Sequence, residues 1–544
     1  METPQELGLP PKFPAWRNGQ GEIIEAVALS DSKHFLLDAP TGVGKSVIGI
    51  GTYKKMVAAW RVMDELMDRD PMKHRCIYVT RTKQLQEQLI REFPEARTLK
   101  GRNNYRCLKH PDKFPDFTAE HCPGAKGCGF SDTCPYLVDK AAALMAPIAV
   151  LNEAYYMADI NGPGQFSEAE FVILDEADSI EQALMSFISL NVSLKQLQKL
   201  GLELPADTGS VRAWTAWADQ SIFRLGLSSR NAQRQLGDDP EFWGAREMEL
   251  QKENKRVESF TGKLTQFVSM VNDNWILTEE RAKDDWKWTF KPVLVADYAD
   301  AVLWKHSKRY LGMSGTIFDE GRQLAHDVGL GKFDYKMIPS PYPVEHRPIY
   351  YETRPDGSQA NLCNLTYATK DVELPKLTAE IARIIALYPD QKVLIHTVSY
   401  DIQSYLMANL PAQPNVAQGR LISHTTDNRE DMLNYYKTSA RPLVMMSPSF
   451  DRGVDLPGEA CRCVIICKVP FLNLSDKQTK ARMAMPDGNK WYALKALQTI
   501  VQMSGRAVRG PDDWCDTYIL DRQFARLKFQ MRSVIPRWWM EAIK

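Results

Sequence analysis

The chain has 544 residues, and its 68 basic and 68 acidic side chains give a formal net charge of zero. Its length predicts about two to four domains, and a composition of 44% hydrophobic and 25% charged residues is typical of a globular protein without a membrane span. A zero net charge excludes a uniformly basic surface, so a nucleic-acid partner would need a local basic groove. The first residues carry no export signal, which predicts a cytoplasmic protein with reduced or metal-bound cysteines.

A phosphate-binding loop is predicted close to the N-terminus. The run APTGVGKS, at 39–46, follows a short apolar strand pattern and precedes a helical pattern. It fits the pattern G-x-x-x-x-G-K-S/T if Pro40 takes the place of the first glycine. The alternative is a glycine-rich turn with a chance lysine. In the nucleotide interpretation, backbone N–H groups cradle the phosphates of ATP, Lys45 reaches the β and γ oxygens, and Ser46 binds Mg²⁺. The loop residues assigned to nucleotide are Thr41, Gly42, Gly44, Lys45 and Ser46.

Two basic segments that follow are candidates for binding single-stranded DNA. Arg81, Thr82 and Lys83 come directly after the apolar run CIYVT, where side chains and a helix N-terminus can meet phosphates. Further along, cations and an aromatic ring are mixed in a loop, as in sites for single strands. A solvated loop is an equal alternative for this second group, which comprises Arg102, Tyr105 and Arg106.

Four cysteines stand in one turn-rich stretch with the spacing C-x14-C-x5-C-x5-C. Four thiolates suit either a 4Fe–4S cluster or zinc, and the spacing leaves these two nearly even. The remaining cysteines, such as Cys461, Cys463 and Cys467, lie in apolar runs and are expected in the core. The candidate metal ligands are Cys107, Cys122, Cys128 and Cys134.

A pair of carboxylates follows the apolar strand pattern at 171–174. Carboxylates at the C-terminal end of a parallel strand face the crevice where ligands bind. Asp175 is therefore expected to hold Mg²⁺ and Glu176 to act as the base that activates water. The alternative is an acidic helix N-terminus.

The stretch from about 180 to 300 is expected to be helical, because strand patterns almost vanish there and apolar residues recur at helical spacing. Trp286 and Trp288 could stack bases, although anchoring of this helical region is the favoured interpretation.

The C-terminal part returns to alternating strands and helices and ends in a cationic motif. In QMSGRAVRG, Gln502 is expected to orient water, and Arg506 and Arg509 are expected to share a helical face with no nearby acids to pair them. Two guanidinium groups suit the charge that develops on a transferring phosphoryl group.

The order of these motifs resembles that of the superfamily 2 helicases, and within them the XPD/DinG family of iron–sulfur DNA helicases. The segments that resemble the helicase motifs are, in chain order, APTGVGKS, YVTRTKQLQEQ, LDEAD, LGMSGTI, VLIHTVSY, SFDRGVDLPG and QMSGRAVRG. The resemblance implies that Arg17 and Gln20 contact the base of the nucleotide. It also implies that Asp455, with Gly453, contacts nucleotide and strand. At Asp178 the family usually has histidine, and we expect altered coupling there with hydrolysis retained.

The resemblance further favours a 4Fe–4S cluster over zinc and implies 5′ to 3′ movement on single-stranded DNA, with forked or duplex-junction DNA as substrate. Two other functions stay open: a translocase that displaces proteins without unwinding, and a non-enzymatic binding module. We expect a monomer without membrane contact, in the cytoplasm of a bacterial or phage-infected cell.

The expected fold class is α/β, with two RecA-like parallel-sheet domains, an iron–sulfur insertion and a helical arch insertion. RecA-like domain 1 is predicted in three parts, at 1–100, 141–180 and 301–330. The cluster insertion is predicted at 101–140, the arch at 181–300, and RecA-like domain 2 at 331–544.

Overall fold

The computed structural model describes most of the chain. The described ranges are 2–17, 19–68, 74–109, 111, 114–122, 128–236, 243–282, 284–414, 416–450, 454–505, 507–510 and 512–544. Two residues assigned from the sequence, Gly453 and Arg506, lie outside these ranges.

The strands and helices are numbered in chain order. The strands are β1 (His34–Asp38), β2 (Cys76–Thr80), β3 (Ala96–Leu99), β4 (Ile148–Asn152), β5 (Phe171–Asp175), β6 (Leu190–Ser193), β7 (Trp275–Ala282), β8 (Asp285–Pro292), β9 (Tyr310–Ser314), β10 (Phe333–Met337), β11 (Ile349–Tyr350), β12 (Val393–His396), β13 (Leu421–Ser423), β14 (Val444–Ser447), β15 (Cys463–Ile466) and β16 (Asp516–Ile519). The helices are α1 (Gln20–Leu29), α2 (Lys45–Leu66), α3 (Lys83–Glu92), α4 (Pro135–Met145), α5 (Glu153–Ile160), α6 (Ile180–Ile188), α7 (Leu194–Lys199), α8 (Val211–Leu236), α9 (Ala245–Met270), α10 (Ala296–Val302), α11 (Arg322–Asp327), α12 (Lys370–Ala386), α13 (Tyr400–Asn409), α14 (Arg429–Thr438), α15 (Lys477–Met483), α16 (Gly488–Ser504), α17 (Gln523–Gln530) and α18 (Arg537–Met540).

Domain 1 is built on a parallel sheet. Within the described residues this sheet has seven strands in the order β10-β1-β9-β5-β2-β4-β3. The strands β1, β2 and β5 are buried along their whole length, as expected for a sheet covered on both faces. The carboxyl ends of β1, β5 and β9 lie at one edge, so the phosphate loop and the carboxylates meet there.

The predicted end of domain 1 at residue 330 is too early. Strand β10 pairs with β1 from Phe333↔His34 to Met337↔Asp38, so domain 1 continues to at least Met337. This edge strand is only half-buried and reads FDYKM, which lacks the continuous apolar run that marks its neighbours.

Domain 2 has a second parallel sheet. In the part of the chain that the structure describes, its six strands follow the order β11-β16-β15-β12-β14-β13. Cys461, Cys463 and Cys467 are fully buried there, which confirms that they are core residues. The two parallel sheets confirm the predicted α/β class.

The arch contains a sheet that the sequence interpretation missed. Strands β6, β8 and β7 form an antiparallel sheet, and the long helices α8 and α9 pack against each other and against it. The expectation that strands almost vanish in this region is therefore wrong. Aromatic rings fill the space between helices and sheet, with Trp214 5.3 Å from Trp288 and Phe267 5.0 Å from Phe290 between ring centroids.

Among the described helices, none is both long and apolar enough to cross a lipid bilayer.

Candidate active site

The phosphate loop joins the buried strand β1 to the N-terminus of α2. Gly42 and Gly44 have φ angles of 90° and 77°, a left-handed conformation that favours glycine. A side chain at Gly44 would also lie 2.5 Å from Nε2 of Gln20. Helix α2 begins at Lys45, so its first N–H groups point toward the loop as an anion site requires.

Arg17 and Gln20 hold this loop from the side of α1. Nη1 of Arg17 donates to the carbonyl of Gly42 at 2.9 Å, and Nε2 of Gln20 donates to the carbonyl of Val43 at 2.7 Å. Oε1 of Gln20 accepts from the backbone N–H of Arg17 at 2.9 Å. Both side chains are therefore tied to the loop backbone, and their contact with the nucleotide base stays a prediction.

Asp175 ends strand β5 beside the phosphate loop. The hydroxyl of Tyr78 donates to its Oδ2 at 3.1 Å, and Ser46 lies within hydrogen-bonding reach of the same tyrosine. Burial raises the pKa of Asp175 to about 6, while the positive charge of Lys45 opposes this rise. A hydroxyl and a carboxylate brought together in this way are ligands that suit Mg²⁺.

Glu176 follows Asp175 in a left-handed backbone conformation, with φ 57° and ψ 46°. This conformation is uncommon for a residue with a side chain and is often found at functional sites. Its carbonyl accepts the hydroxyl of Ser179 at 2.7 Å, which fixes the turn. The side chain is partly exposed, so it is free to reach a water molecule in the cleft.

Asp178 connects the two RecA-like domains. Its Oδ1 accepts the hydroxyl of Ser314 at 2.6 Å, and its Oδ2 accepts Nε2 of Gln502 from domain 2 at 2.7 Å. The same Nε2 lies 3.1 Å from the hydroxyl of Thr316. The amide N–H groups of Gln502 are used in these contacts, whereas its Oε1 makes no hydrogen bond to any described residue, so its role in orienting water stays a prediction.

Arg509 has an acidic partner that its sequence neighbourhood does not reveal. Its Nε donates to Asp455, which lies 54 residues earlier in the chain, and its Nη1 donates to the carbonyl of Gly505 at 2.8 Å. The expectation of a cation without a nearby acid is therefore wrong for Arg509. Gly505 also lies close to Thr41 of the phosphate loop, so this motif faces the cleft.

Two residues near the site carried no motif signal in the sequence. Glu153, at the end of β4, accepts the hydroxyl of Ser179 at 3.1 Å and lies 3.6 Å from Nε of Arg81. Burial raises its pKa to about 7. Tyr342, in the segment between β10 and β11, covers Gly42 of the phosphate loop. Glu153 belongs to no motif, but it directly follows a buried strand, β4, just as Asp175 ends the buried strand β5. This position is the feature of the sequence from which Glu153 could have been predicted.

The cysteine insertion brings its four thiols into one region. Burial raises the pKa of Cys107, and the thiols of Cys122, Cys128 and Cys134 add to this rise, so all four are within electrostatic reach of each other. Each of the ten cysteines is a free thiol. Within the described ranges no group of three or more His, Cys, Asp or Glu side chains has the arrangement of a metal site. The donor chemistry of the four thiols fits a 4Fe–4S cluster or zinc.

The structure separates the predicted DNA-binding residues into two groups. Thr82 accepts the backbone N–H of Leu85 at 3.2 Å, so it caps α3. Tyr105 is buried, and its hydroxyl donates to Asp139 at 2.9 Å, so its ring cannot stack on a base. Tyr105 therefore has a structural role, contrary to the prediction, whereas the contact of Thr82 with DNA stays a prediction.

The cations of the same group stay available to solvent. Lys83 donates to Asn104, Arg102 lies 5.4 Å from the ring of Tyr136, and Arg106 donates to the carbonyl of Pro111. Arg81 is about one-third exposed beside Glu153. Their contact with nucleic acid stays a prediction.

The two arch tryptophans also differ. Trp288 is buried, and its Nε1 donates to Glu279 at 3.1 Å, as expected for an anchor of the arch. Trp286 is 38% exposed at the end of the β7–β8 hairpin.

Two family models match the chain, and together they account for more than half of it. A DEAD/DEAH box helicase domain matches residues 17–208, and a helicase C-terminal domain matches residues 381–542. Among curated proteins, the ATP-dependent DNA helicase YoaA of Escherichia coli is 21% identical over 93% of this chain and 92% of its own length. The XPD helicase subunit of general transcription and DNA repair factor IIH from Dictyostelium discoideum is 26% identical over 30% of this chain and 23% of its own length.

Solved structures show the same fold. A structure described as an XPD helicase matches with a TM-score of 0.62 at 15% identity and covers 95% of this chain and 98% of its own. The structure of S. tokodaii Xpd4 has a TM-score of 0.53 at 15% identity and covers 97% of this chain and 99% of its own. With the phosphate loop, the paired carboxylates and the contact between the two sheet domains in place, the chain carries the domains of a DEAD/DEAH box helicase, an ATP-dependent enzyme, and is similar to the XPD/DinG-like helicases of superfamily 2.

Proposed function

We propose that this chain is an ATP-dependent DNA helicase that moves 5′ to 3′ along single-stranded DNA and separates the strands of forked duplexes. The observation that carries the proposal is the contact of Gln502, in domain 2, with both Asp178 and Thr316 in domain 1. Through this contact, α16 of domain 2 is joined to the turn that follows β5 and to the segment that follows β9. A change at the nucleotide can therefore move one domain against the other.

The proposed hydrolysis uses side chains from both domains. Lys45 and Ser46 bind the phosphates and Mg²⁺, Asp175 provides a further oxygen for Mg²⁺, and Glu176 accepts the proton of the attacking water. Positive charge from domain 2 then stabilises the phosphoryl group in the transition state. The residues assigned to this last role are Arg506 and Arg509.

In the coupling step, the contacts of Gln502 support a bridging role, and its unpaired Oε1 is the atom that would orient water. Asp178 stands where the family usually has histidine, and it accepts hydrogen bonds from side chains of both domains. These contacts support the expectation that a carboxylate keeps the two domains coupled. Arg509 can exchange its contact with Asp455 for the γ-phosphate when ATP binds, because both partners are anionic and Asp455 is largely exposed.

We assign the four cysteines to a 4Fe–4S cluster by the family resemblance. A bound cluster would supply cross-links among the four thiolates and add to the apolar packing of Cys107 and Cys134. Cys107, Cys122, Cys128 and Cys134 would hold it. The insertion also contacts the arch, where Nζ of Lys252 lies 2.7 Å from Asp116.

The test of the proposed function is ATP hydrolysis with single-stranded DNA, single-stranded RNA and duplex DNA as separate additions. We expect the largest stimulation with single-stranded DNA. Glu176→Gln should keep nucleotide binding and lower turnover about a hundredfold or more, because it keeps the shape and removes the base. Lys45→Ala is the matched control that should also weaken binding. A Glu176→Gln variant with the parental rate would contradict the assignment of the base.

A monomer in the cytoplasm of a bacterial or phage-infected cell is also part of this proposal. Light scattering on the purified protein measures the mass in solution, and a mass near 61.9 kDa is expected.

A further inference from the structure

The segment between the two domains places an aromatic side chain on the phosphate loop. This segment follows β10 of domain 1 and precedes β11 of domain 2. A side-chain carbon at Gly42 would lie 1.9 Å from the hydroxyl of Tyr342 and 2.2 Å from its ring carbon Cζ. The phenol therefore sits directly against the loop that is built to cradle phosphates.

The hydroxyl of Tyr342 is buried without a partner. The residue is 8% exposed, and its Oη makes no hydrogen bond to any described residue. Burial raises the pKa of this phenol, and the charges of Arg509 and Arg17 lower it in part. The group therefore stays protonated near neutral pH and has an O–H to donate. A buried donor left unpaired costs free energy, so an acceptor from a ligand is expected beside it.

The charges around Tyr342 indicate what kind of ligand atom accepts the hydrogen bond from its hydroxyl. Arg17 lies on the domain 1 side and donates to Gly42, while Arg509 lies on the domain 2 side. Asp455 and Asp513 also face the phenol, but both accept hydrogen bonds from Arg509. The side chain of Arg509 donates to Asp455, and its backbone N–H donates to Asp513. These carboxylates offset the charge of Arg509, so Arg17 and the N-terminus of α2 are the groups that favour an anionic acceptor here.

We propose that Tyr342 is a nucleotide-binding residue whose hydroxyl donates a hydrogen bond to a phosphate oxygen of ATP or ADP on the phosphate loop. This inference rests on the proposed ATP site and adds to it a contact from outside the helicase motifs.

The backbone of Tyr342 is held by domain 2. Nε of Arg347 donates to the carbonyl of Tyr342 at 3.1 Å, and Nη1 of the same arginine donates to the carbonyl of Trp538 at 2.5 Å. The ring belongs to the same buried cluster as Phe450 and Val501 of domain 2. A hydrogen bond from Tyr342 to the nucleotide would therefore link ATP on domain 1 to the position of domain 2.

The test compares Tyr342→Phe with the wild type in binding of fluorescently labelled ADP and in the KM for ATP. Loss of a hydrogen bond to a charged oxygen should weaken ADP binding about tenfold or more and raise the KM to a similar extent, with kcat nearly unchanged. Tyr350→Phe is the matched control, because Tyr350 stacks on Tyr518 at the edge of the domain 2 sheet, and its affinity should equal that of the wild type.

Binding of 2′-deoxy-ADP distinguishes phosphate from ribose. An equal loss with ADP and 2′-deoxy-ADP supports the phosphate contact, whereas a loss confined to ADP would overturn it in favour of the ribose. Unchanged affinity of Tyr342→Phe in a wild type that binds and hydrolyses ATP would overturn this inference alone. A wild type that binds no nucleotide would overturn the proposed function as well.

Discussion

Glu153 lies near the active site, and ionisation of its carboxyl destabilises the folded protein. It begins α5, and about one-fifth of its side chain is exposed. Burial raises its pKa to about 7, and the nearby charge of Arg81 lowers it in part. The folded protein therefore binds a proton here more tightly than the unfolded chain between about pH 4.5 and 7, so the contribution of Glu153 to stability falls as the pH rises through this range.

Glu153→Gln should remove this pH dependence. At pH 8 the variant should have a higher free energy of unfolding than the wild type, by on the order of 1–2 kcal/mol, because glutamine has no charge to bury. The difference should shrink as the pH falls toward about 4.5, where the carboxyl is protonated in the folded state and about half protonated in the unfolded state. Urea unfolding at several pH values from 4.5 to 8 measures this difference in the free energy of unfolding. The control is Glu203→Gln, at an exposed position, and a Glu153→Gln profile parallel to that of the wild type would refute the expectation.

Helix α16 presents one face of polar side chains to domain 1. Nζ of Lys490 lies 2.6 Å from Asp319, and Nζ of Lys495 lies 2.7 Å from Glu181 on α6. Nε2 of Gln498 donates to the carbonyl of Thr316 at 2.9 Å. The Lys495–Glu181 pair is mostly buried, so the position of α16 is connected to the helix that follows the catalytic carboxylates.

A double-mutant cycle on Lys495 and Glu181 tests this connection. Lys495→Met and Glu181→Gln should each lower the rate of ATP hydrolysis with single-stranded DNA, because the first leaves the buried Glu181 unpaired and the second leaves Lys495 only Asp327, at 3.9 Å. The double variant should lose less than the product of the two single effects, with a coupling of about 0.5–3 kcal/mol. Lys490→Met is the control, because that lysine is 42% exposed and should have a smaller effect. Strict additivity would show that the pair carries no coupling.

The cysteine insertion packs against the arch through a small apolar cluster. Phe117 of the insertion lies in one cluster with Trp243 and Met248 of the arch, and Nε2 of Gln251 donates to the carbonyl of His121 at 3.1 Å. Tyr105 and Ala119 of the insertion also lie in the main apolar core, so packing holds the insertion in addition to whatever its four thiols bind.

Cys128→Ser should therefore affect strand separation more than ATP hydrolysis. Protein prepared without oxygen should be brown, with broad absorption near ~400 nm and about four irons per chain, and the variant should lose this colour. Some stimulation of hydrolysis by DNA should remain, because the phosphate loop is distant. The control is Cys363→Ser in the core of domain 2. Stoichiometric zinc without iron in the wild type would refute the cluster and leave the nucleotide site unaffected.

At the scale of the whole molecule, the arch is attached to domain 2 as well as to domain 1. Nζ of Lys291 lies 3.1 Å from Asp476, and Nζ of Lys477 donates to the carbonyl of Leu277 at 2.9 Å. Nε2 of Gln478 donates to the carbonyl of Val293 at 3.0 Å. Movement of domain 2 would therefore act on the base of the β7–β8 hairpin.

The parts that could be predicted from the sequence are those with local patterns. The loop at Lys45 and the turn at Asp175 each combine a buried strand with a short motif, so their places in the sheet follow from neighbouring residues. The pairing of Arg509 with Asp455 and the position of Tyr342 depend on contacts between distant segments, which no local pattern encodes. The hairpin β7–β8 carried a signal in the alternation of Trp286, Trp288 and Phe290 with polar residues, but its many charges concealed it.

The central claim is that ATP hydrolysis in the cleft between the two domains separates DNA strands. Its most direct test is unwinding of a duplex with a 5′ single-stranded arm, compared with a duplex that has only a 3′ arm, by the wild type and by Glu176→Gln. The account predicts ATP-dependent strand separation by the wild type on the 5′-armed duplex, and none with the 3′ arm or with Glu176→Gln. If the wild type displaced streptavidin from single-stranded DNA and yet separated neither duplex, the chain would be a translocase that remodels complexes, and the helicase account would be contradicted.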